Sequence, residues 1–310
     1  MIKWQWWAVS EGLSKTVSGI LQKFVGLATQ SGIDSFLYTL IIGVIQMFSG
    51  LVGFCAKNKP EIILYPDRRT ILWAIAFGFF ATVMTALGAY TFLLGADLSV
   101  RTLIIVSSIV PGAIIGKIFW NDPFGVREIF GISIFLVAVW SMLDFPSWSV
   151  FITLPSWVWL TFIIMLSGAV NEALSRVASV KLDPWVNNFW VGVSTTFFSA
   201  LGLVALGFSG ESMKTSHAFW LGSILIGAVV VAMVSFKLLA YKGGGTIALK
   251  KLIMQGVYLL TVSVAGVAFY NEPVTLGKIA GICLFLLAFV ITDKETGKVA
   301  IELLRRTKLP

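Results

Sequence analysis

The chain has 310 residues, 57% of them hydrophobic and 12% charged, with 23 Lys and Arg against 15 Asp and Glu for a net charge of +8. A globular domain carries roughly 25% charged residues, so half that share cannot coat a water-facing surface of this size, and most soluble folds are excluded. A mean hydropathy of +0.91, with 12 Trp, 24 Phe and 29 Gly, gives the composition of an integral membrane protein whose helices approach closely.

Ten apolar stretches follow in chain order, at about 5–29, 35–55, 70–94, 98–118, 126–143, 157–180, 185–208, 218–242, 247–269 and 275–292. They lack the period-2 alternation of barrel strands, and in lipid the alternative is the helix. A span of ~20 residues with its loop takes about 31 residues, so ten spans use up the chain. The prediction is an all-α membrane protein with ten transmembrane helices. The N-terminal MIKWQWW reads as the start of the first span rather than a removable signal peptide. Cys55 and Cys283 lie in apolar runs, which argues against a disulfide framework or a thiolate metal site.

Lys and Arg in the linkers set the orientation. With the N-terminus inside, one side collects Lys3, Lys57, Lys59, Arg68, Arg69, Arg127, Lys181, Lys242 and the basic tail at 294–310. The other side holds little beyond Lys214 and Lys278. Both termini are therefore expected in the cytoplasm.

The chain repeats itself. A shift of 149 residues places Ser18-Gly19 on Ser167-Gly168, Asp34 on Asp183, Gly43 on Gly192, Gly53 on Gly202 and Gly78 on Gly227. A shift of 150 places Phe119, Asn121, Pro123, Ile129, Gly131, Ile132, Phe135, Leu136 and Ala138 on the same residue types from Phe269 to Ala288. The units, 1–145 and 150–293, hold five spans each. Five is odd, so the second copy is expected upside down, as two inverted five-helix repeats with a substrate site near the midplane between them. The acid-Pro pairs Asp122-Pro123 and Glu272-Pro273, each followed by a glycine-containing helix (Gly131, Gly281), read as caps of the fifth and tenth spans.

On those residues, with Pro111 late in the fourth span, the chain resembles the drug/metabolite transporter superfamily, in particular its EamA-like ten-helix members. The resemblance covers almost the whole chain and implies a secondary transporter. It leaves the substrate open, because relatives carry amino acids, nucleotide sugars, sugar phosphates, cations and other metabolites.

Ionisable groups within spans cost at least ~2.5 kcal/mol each and call for a role. Glu11, Lys15, Ser18 and Gln22, spaced 4, 3 and 4, share one face of the first helix. That stripe either lines a cavity or serves a structural Glu11–Lys15 pair. Lys23 lies off it, near the helix end, placed to snorkel. In the second copy, Ser167 and Asn171 match Ser18 and Gln22, and Glu172 sits beside them. Glu172 is read either as a proton-coupling carboxylate or as the partner of Arg176 four residues on.

Arg101 aligns with Lys250 or Lys251 near the starts of the fourth and ninth spans. These are anion contacts or interfacial anchors. Plastid sugar-phosphate translocators, in the same superfamily, hold phosphate with basic residues in similar places. Tyr258 is a candidate substrate contact; it, Tyr90 and Tyr241 are otherwise packing aromatics. Gly243-Gly244-Gly245 is a tight turn or hinge rather than a P-loop, since no Lys-[Ser/Thr] ending follows.

Six intramembrane cations (Lys15, Lys23, Arg101, Lys237, Lys250, Lys251) outnumber two carboxylates (Glu11, Glu172), which favours an anionic or zwitterionic substrate. Small multidrug exporters place a glutamate eight residues before a Lys-Phe pair, whereas this chain has Lys15 eight before Lys23-Phe24. His217 is the single histidine, and no metalloprotease, nucleotide-binding or triad pattern occurs, so an enzyme or an ATP-driven pump is not expected. The partners implied are the lipid bilayer and a small-molecule substrate, with a co-transported proton or a counter-substrate, and no nucleic acid, cofactor or metal. A prokaryotic plasma membrane is the expected location. The alternatives are a proton-coupled exporter of amphipathic or cationic compounds and a non-transporting partner or sensor on the same scaffold.

Overall fold

A computed structural model of the protein describes residues 4–57, 63–122, 125–142, 153–208 and 216–292. Among them the chain is helical, with eleven helices and no strand. In order these are α1 (Trp4–Ala28), α2 (Gly32–Lys57), α3 (Arg68–Leu93), α4 (Leu98–Val106), α5 (Ile109–Trp120), α6 (Val126–Met142), α7 (Ser156–Lys181), α8 (Pro184–Ala205), α9 (His217–Lys242), α10 (Ile247–Tyr270) and α11 (Leu276–Thr292). Seven helical segments are long and apolar enough to cross a membrane: Gly32–Lys57, Arg68–Leu93, Leu98–Trp120, Ser156–Lys181, Pro184–Ala205, His217–Lys242 and Ile253–Tyr270. The protein is an all-α, multi-pass membrane protein. Helix α1 is long enough at 25 residues but carries Glu11, Lys15 and Lys23, while α6 and α11 have 17 residues each. The basic tail at 294–310 lies outside the described residues.

The stretch predicted as one span at 98–118 is two helices, broken at Ser107-Ser108. The cause is Pro111, whose ring has no N–H and crowds the carbonyl four residues back, that of Ser107. That carbonyl accepts instead from Val110 N at 3.0 Å, a one-turn tightening.

Helix α2 packs along α8, and α6 along α11. Helix α1 packs on α9 and α10, while α7 packs on α3 and on α4 and α5; α3 also meets α8, and α2 meets α9. Exchanging α1–α6 for α7–α11, with α4 and α5 taken together, returns the same set of pairs. Side-chain contacts follow the 149-residue shift: Gly53 faces the Trp185 ring and Gly202 faces Phe36, while Gly78 faces Ser194 and Gly227 faces Ile45.

Glycine at the α2–α8 crossing lets the two backbones touch. A Cβ on Gly50 would lie 2.7 Å from Phe189 Cα and 2.8 Å from the Trp185 carbonyl oxygen. Neither atom belongs to a side chain that can swing away. Gly50→Leu is therefore expected to force α2 and α8 apart, with a loss of at least ~2 kcal/mol read as a lowered unfolding temperature in detergent. Gly32→Leu is the control, since its nearest neighbour is a side-chain methyl at 3.9 Å.

Among the described residues, the acids of the Asn-acid-Pro sequences make no hydrogen bond to the first turn of the helices that follow them. Asn121 and Asn271 end the helices before, in the left-handed region at φ 54° and 50°, which asparagine tolerates. The next N–H then bonds back, Asp122 to the Gly116 carbonyl at 3.2 Å and Glu272 to that of Gly266 at 3.1 Å. Both carboxylates are thereby turned toward other helices.

Candidate functional site

A cavity of about 140 Å³ lies at the centre of the bundle, between α1, α2, α3, α4, α7, α8, α9 and α10. That is room for roughly ten waters. Eight of the eleven residues singled out from sequence line it: Lys15, Ser18, Gln22, Arg101, Asn171, Glu172, Lys251 and Tyr258. Ser167 is buried but off the wall, its neighbour Gly168 taking the place. Glu11 and Lys250 lie behind the wall. Tyr38, Gln46 and Lys237 also line it. Gln46 was legible as a polar residue inside an apolar run, and it binds Asn188 Oδ1 of α8 at 2.9 Å.

The charges are paired differently from the i,i+4 expectations. Glu11 pairs with Lys250 at 2.6 Å, not with Lys15. Glu172 pairs with Lys250 and, at 3.7 Å, with Lys237, and accepts from the Tyr241 hydroxyl at 3.0 Å. Arg176 pairs instead with Asp122 at 2.5 Å and covers the Trp120 ring. Lys250 is fully buried between carboxylates of two helices, so it is neither a cavity contact nor an interfacial anchor. It neutralises Glu11 and Glu172 across the α1–α7–α10 junction. Lys237 donates to Asn171 Oδ1 at 3.0 Å, and Asn171 Nδ2 donates to the Phe77 carbonyl of α3 at 3.2 Å.

Three cavity cations have no carboxylate partner among the described residues. Arg101, 2% exposed, is held by neutral acceptors: Nε donates to Thr91 Oγ1 at 2.9 Å and an Nη to Gln22 Oε1 at 3.1 Å, with the guanidinium over the Phe92 ring. Lys251 donates to the Ser108 carbonyl and hydroxyl, both at 3.0 Å. The break above Pro111 sets Ser108 in place for this contact. Lys15 makes no ion pair. Around the cavity, Lys15, Arg101, Lys237, Lys250 and Lys251 thus face only Glu11 and Glu172.

Lys23 does not snorkel. It is buried and pairs with Glu272 at 2.6 Å. The Glu272 carboxylate also accepts from the backbone N–H groups of Leu98 at 2.5 Å and Ser99 at 3.2 Å, and from the Ser99 hydroxyl at 2.7 Å. It therefore caps α4, where the helix dipole favours an anion, and ties α1, α4 and the α10–α11 linker together at one end of the cavity. Lys278 completes this network, 2.6 Å from Asp97 and 3.8 Å from Glu272.

Burial alone would raise the Glu272 carboxyl, but hydrogen bonds from Lys23, Ser99 and the Leu98 N–H outweigh it and hold the group at about 2, below its ordinary 4.5. A depressed carboxyl contributes stability that is fully present above about 4.5 and is lost as pH falls through 2. Glu272→Gln is expected to lower the unfolding temperature at pH 7 and to flatten its dependence between pH 5 and 3. An unchanged slope in that window would remove Glu272 as its source.

No family model matches the chain, and no curated protein matches it. Solved structures do: a crystal structure described only as that of a protein aligns with a TM-score of 0.64 at 15% identity, over 92% of this chain and 97% of the other. At that identity the likeness shows a shared fold alone.

Proposed function

We propose that the protein is a secondary transporter that moves a small anionic or zwitterionic metabolite by alternating access, as an EamA-like member of the drug/metabolite transporter superfamily. The observation that carries this reading is a central cavity whose lining cations exceed its carboxylates. A purely structural core would neutralise buried charges, because an unpaired one costs several kcal/mol. Arg101, Lys15 and Lys251 are left for a ligand.

In this reading α4 and α5 form one broken span, and with α1, α6 and α11 added to the seven long apolar segments the chain crosses ten times. The packing pairs, unchanged on exchanging the halves, and the glycine contacts that follow the 149-residue shift support two inverted repeats. The cavity lies where those repeats meet, as midplane sites of such transporters do. The excess of Lys and Arg in alternate linkers supports cytoplasmic termini in a plasma membrane. Export of hydrophobic cations is disfavoured by Lys15 at the cavity wall, where that chemistry uses a carboxylate.

The test is flux into proteoliposomes of purified protein, with radiolabelled organic anions, amino acids and quaternary amines compared at equal concentration. Saturable uptake of an anion or zwitterion, absent from empty vesicles, is expected. Saturable uptake of quaternary amines alone would overturn the reading, as would the absence of any saturable flux.

A further inference from the structure

The cavity cations are arranged at two levels. On α1, Lys15 and Gln22 are seven residues apart. On α4 and its broken continuation the same interval separates Arg101 from Ser108, and on α10 it separates Lys251 from Tyr258. Seven residues are two helical turns, roughly 10 Å. Contacts between helices assign these residues to the same two levels. At one, Gln22 accepts from Arg101, and Tyr258 accepts from Thr102, the residue after Arg101, at 3.3 Å. At the other, Lys251 sits on Ser108, and Lys15 lines the same cavity.

Each level holds unused donors. Arg101 directs two of its five N–H groups to Thr91 and Gln22, and the remaining three have no partner among the described residues. Among the described residues Lys251 has neutral hydrogen-bond acceptors only, and Lys15 has none. On α1 and α4 the wall between the levels is small or apolar: Ser18, Gly19 and Ile105.

Resting on the anionic reading above, the geometry points to a substrate with an anionic group at each end and a short apolar middle. One end is held by Arg101 with Gln22 and Tyr258, the other by Lys15 and Lys251. Subtracting a hydrogen bond of about 3 Å at each end from the ~10 Å between levels leaves about 4 Å between the anionic centres, about the carboxyl separation of a straight four-carbon dicarboxylate. A planar guanidinium fork fits one carboxylate, and two ammonium groups fit the other.

The experiment is a binding series on the purified full-length protein in detergent, by isothermal calorimetry, with succinate, glutarate, adipate, butyrate, inorganic phosphate and glycine as probes. A dicarboxylate of this series is expected to bind at least about tenfold more tightly than butyrate, since each charge-assisted contact is worth that much or more. Arg101→Gln and Lys251→Gln should each reduce the dicarboxylate to the affinity of butyrate, and Arg101→Lys should restore part of the difference. Butyrate or phosphate binding as tightly as every dicarboxylate would overturn the two-ended site while leaving an anion transporter intact. Glycine binding best, with butyrate as weak as the dicarboxylates, would overturn it in favour of a zwitterion. Failure of all probes would also overturn it, and if saturable flux is absent too, the transport reading falls with it. The wild-type series decides these outcomes even if a variant does not fold.

Discussion

Lys250→Met is expected to cost on the order of 3–5 kcal/mol of stability, the largest loss among single substitutions at this site. The side chain has no exposed surface and neutralises Glu11 at 2.6 Å and Glu172 beside it. Methionine fills similar volume but leaves Glu11 with no ion pair among the described residues and Glu172 with only that to Lys237 at 3.7 Å. Two like charges would then sit close together, buried at the junction of α1, α7 and α10. Chemical unfolding in detergent, followed by tryptophan fluorescence, measures the loss. Adding Glu11→Gln to Lys250→Met should recover part of it, because one stranded carboxylate is removed. Wild-type stability in the single variant would mean that Lys250 does not hold this junction together.

Arg101→Gln is expected to act in the opposite sense on the two properties of the protein. Transport of an anionic substrate should fall about 10- to 100-fold, as expected for losing charge-assisted hydrogen bonds worth roughly 1.5–3 kcal/mol. The yield of folded, monodisperse protein should stay the same or rise, since the variant removes a buried cation that no carboxylate balances. Lys250 and Arg101 are equally buried cations, yet one is paired and the other is not, and the contrast between their variants separates a structural charge from a ligand-binding one. Measuring uptake per folded protein in vesicles checks it. Unchanged uptake, or uptake falling only in step with folded protein, would remove Arg101 from the site.

Much of the cavity wall was legible in the sequence. The 4, 3, 4 spacing from Glu11 to Gln22 fixes a helix face, and a polar face inside lipid turns toward the protein interior because the bilayer offers it no partner. The same logic placed Asn171 and Glu172 inward, while Arg101 and Lys251 stood open between cavity contacts and interfacial anchors. The pairing of charges was not legible. Sequence spacing favours i,i+4 partners such as Glu11 with Lys15 and Glu172 with Arg176, but those pairs lose to partners across the bundle. A helix-surface pair in water is worth only ~0.3–0.5 kcal/mol, whereas a dry interior makes neutralisation by any close opposite charge far more valuable. The break at Ser107-Ser108 could have been read from Pro111, since proline crowds the carbonyl four residues earlier. The Asn-acid-Pro sequences misled for a different reason. A carboxylate in a turn can reach any nearby helix N-terminus, and Glu272 reaches α4, more than 170 residues away along the chain.

Hydrophobicity is a local property, summed over neighbours in the chain, so the amino-acid order by itself determined the membrane class, the course of the helices, the inward polar faces and the internal repeat. Electrostatic pairing depends on separations of a few ångströms between groups as far apart in the chain as Lys23 and Glu272, 249 residues. Only the tertiary structure decided that Lys250 and Lys23 are neutralised while Arg101, Lys15 and Lys251 have no carboxylate partner among the described residues, because only the packed bundle sets which carboxylates come within reach of which cations.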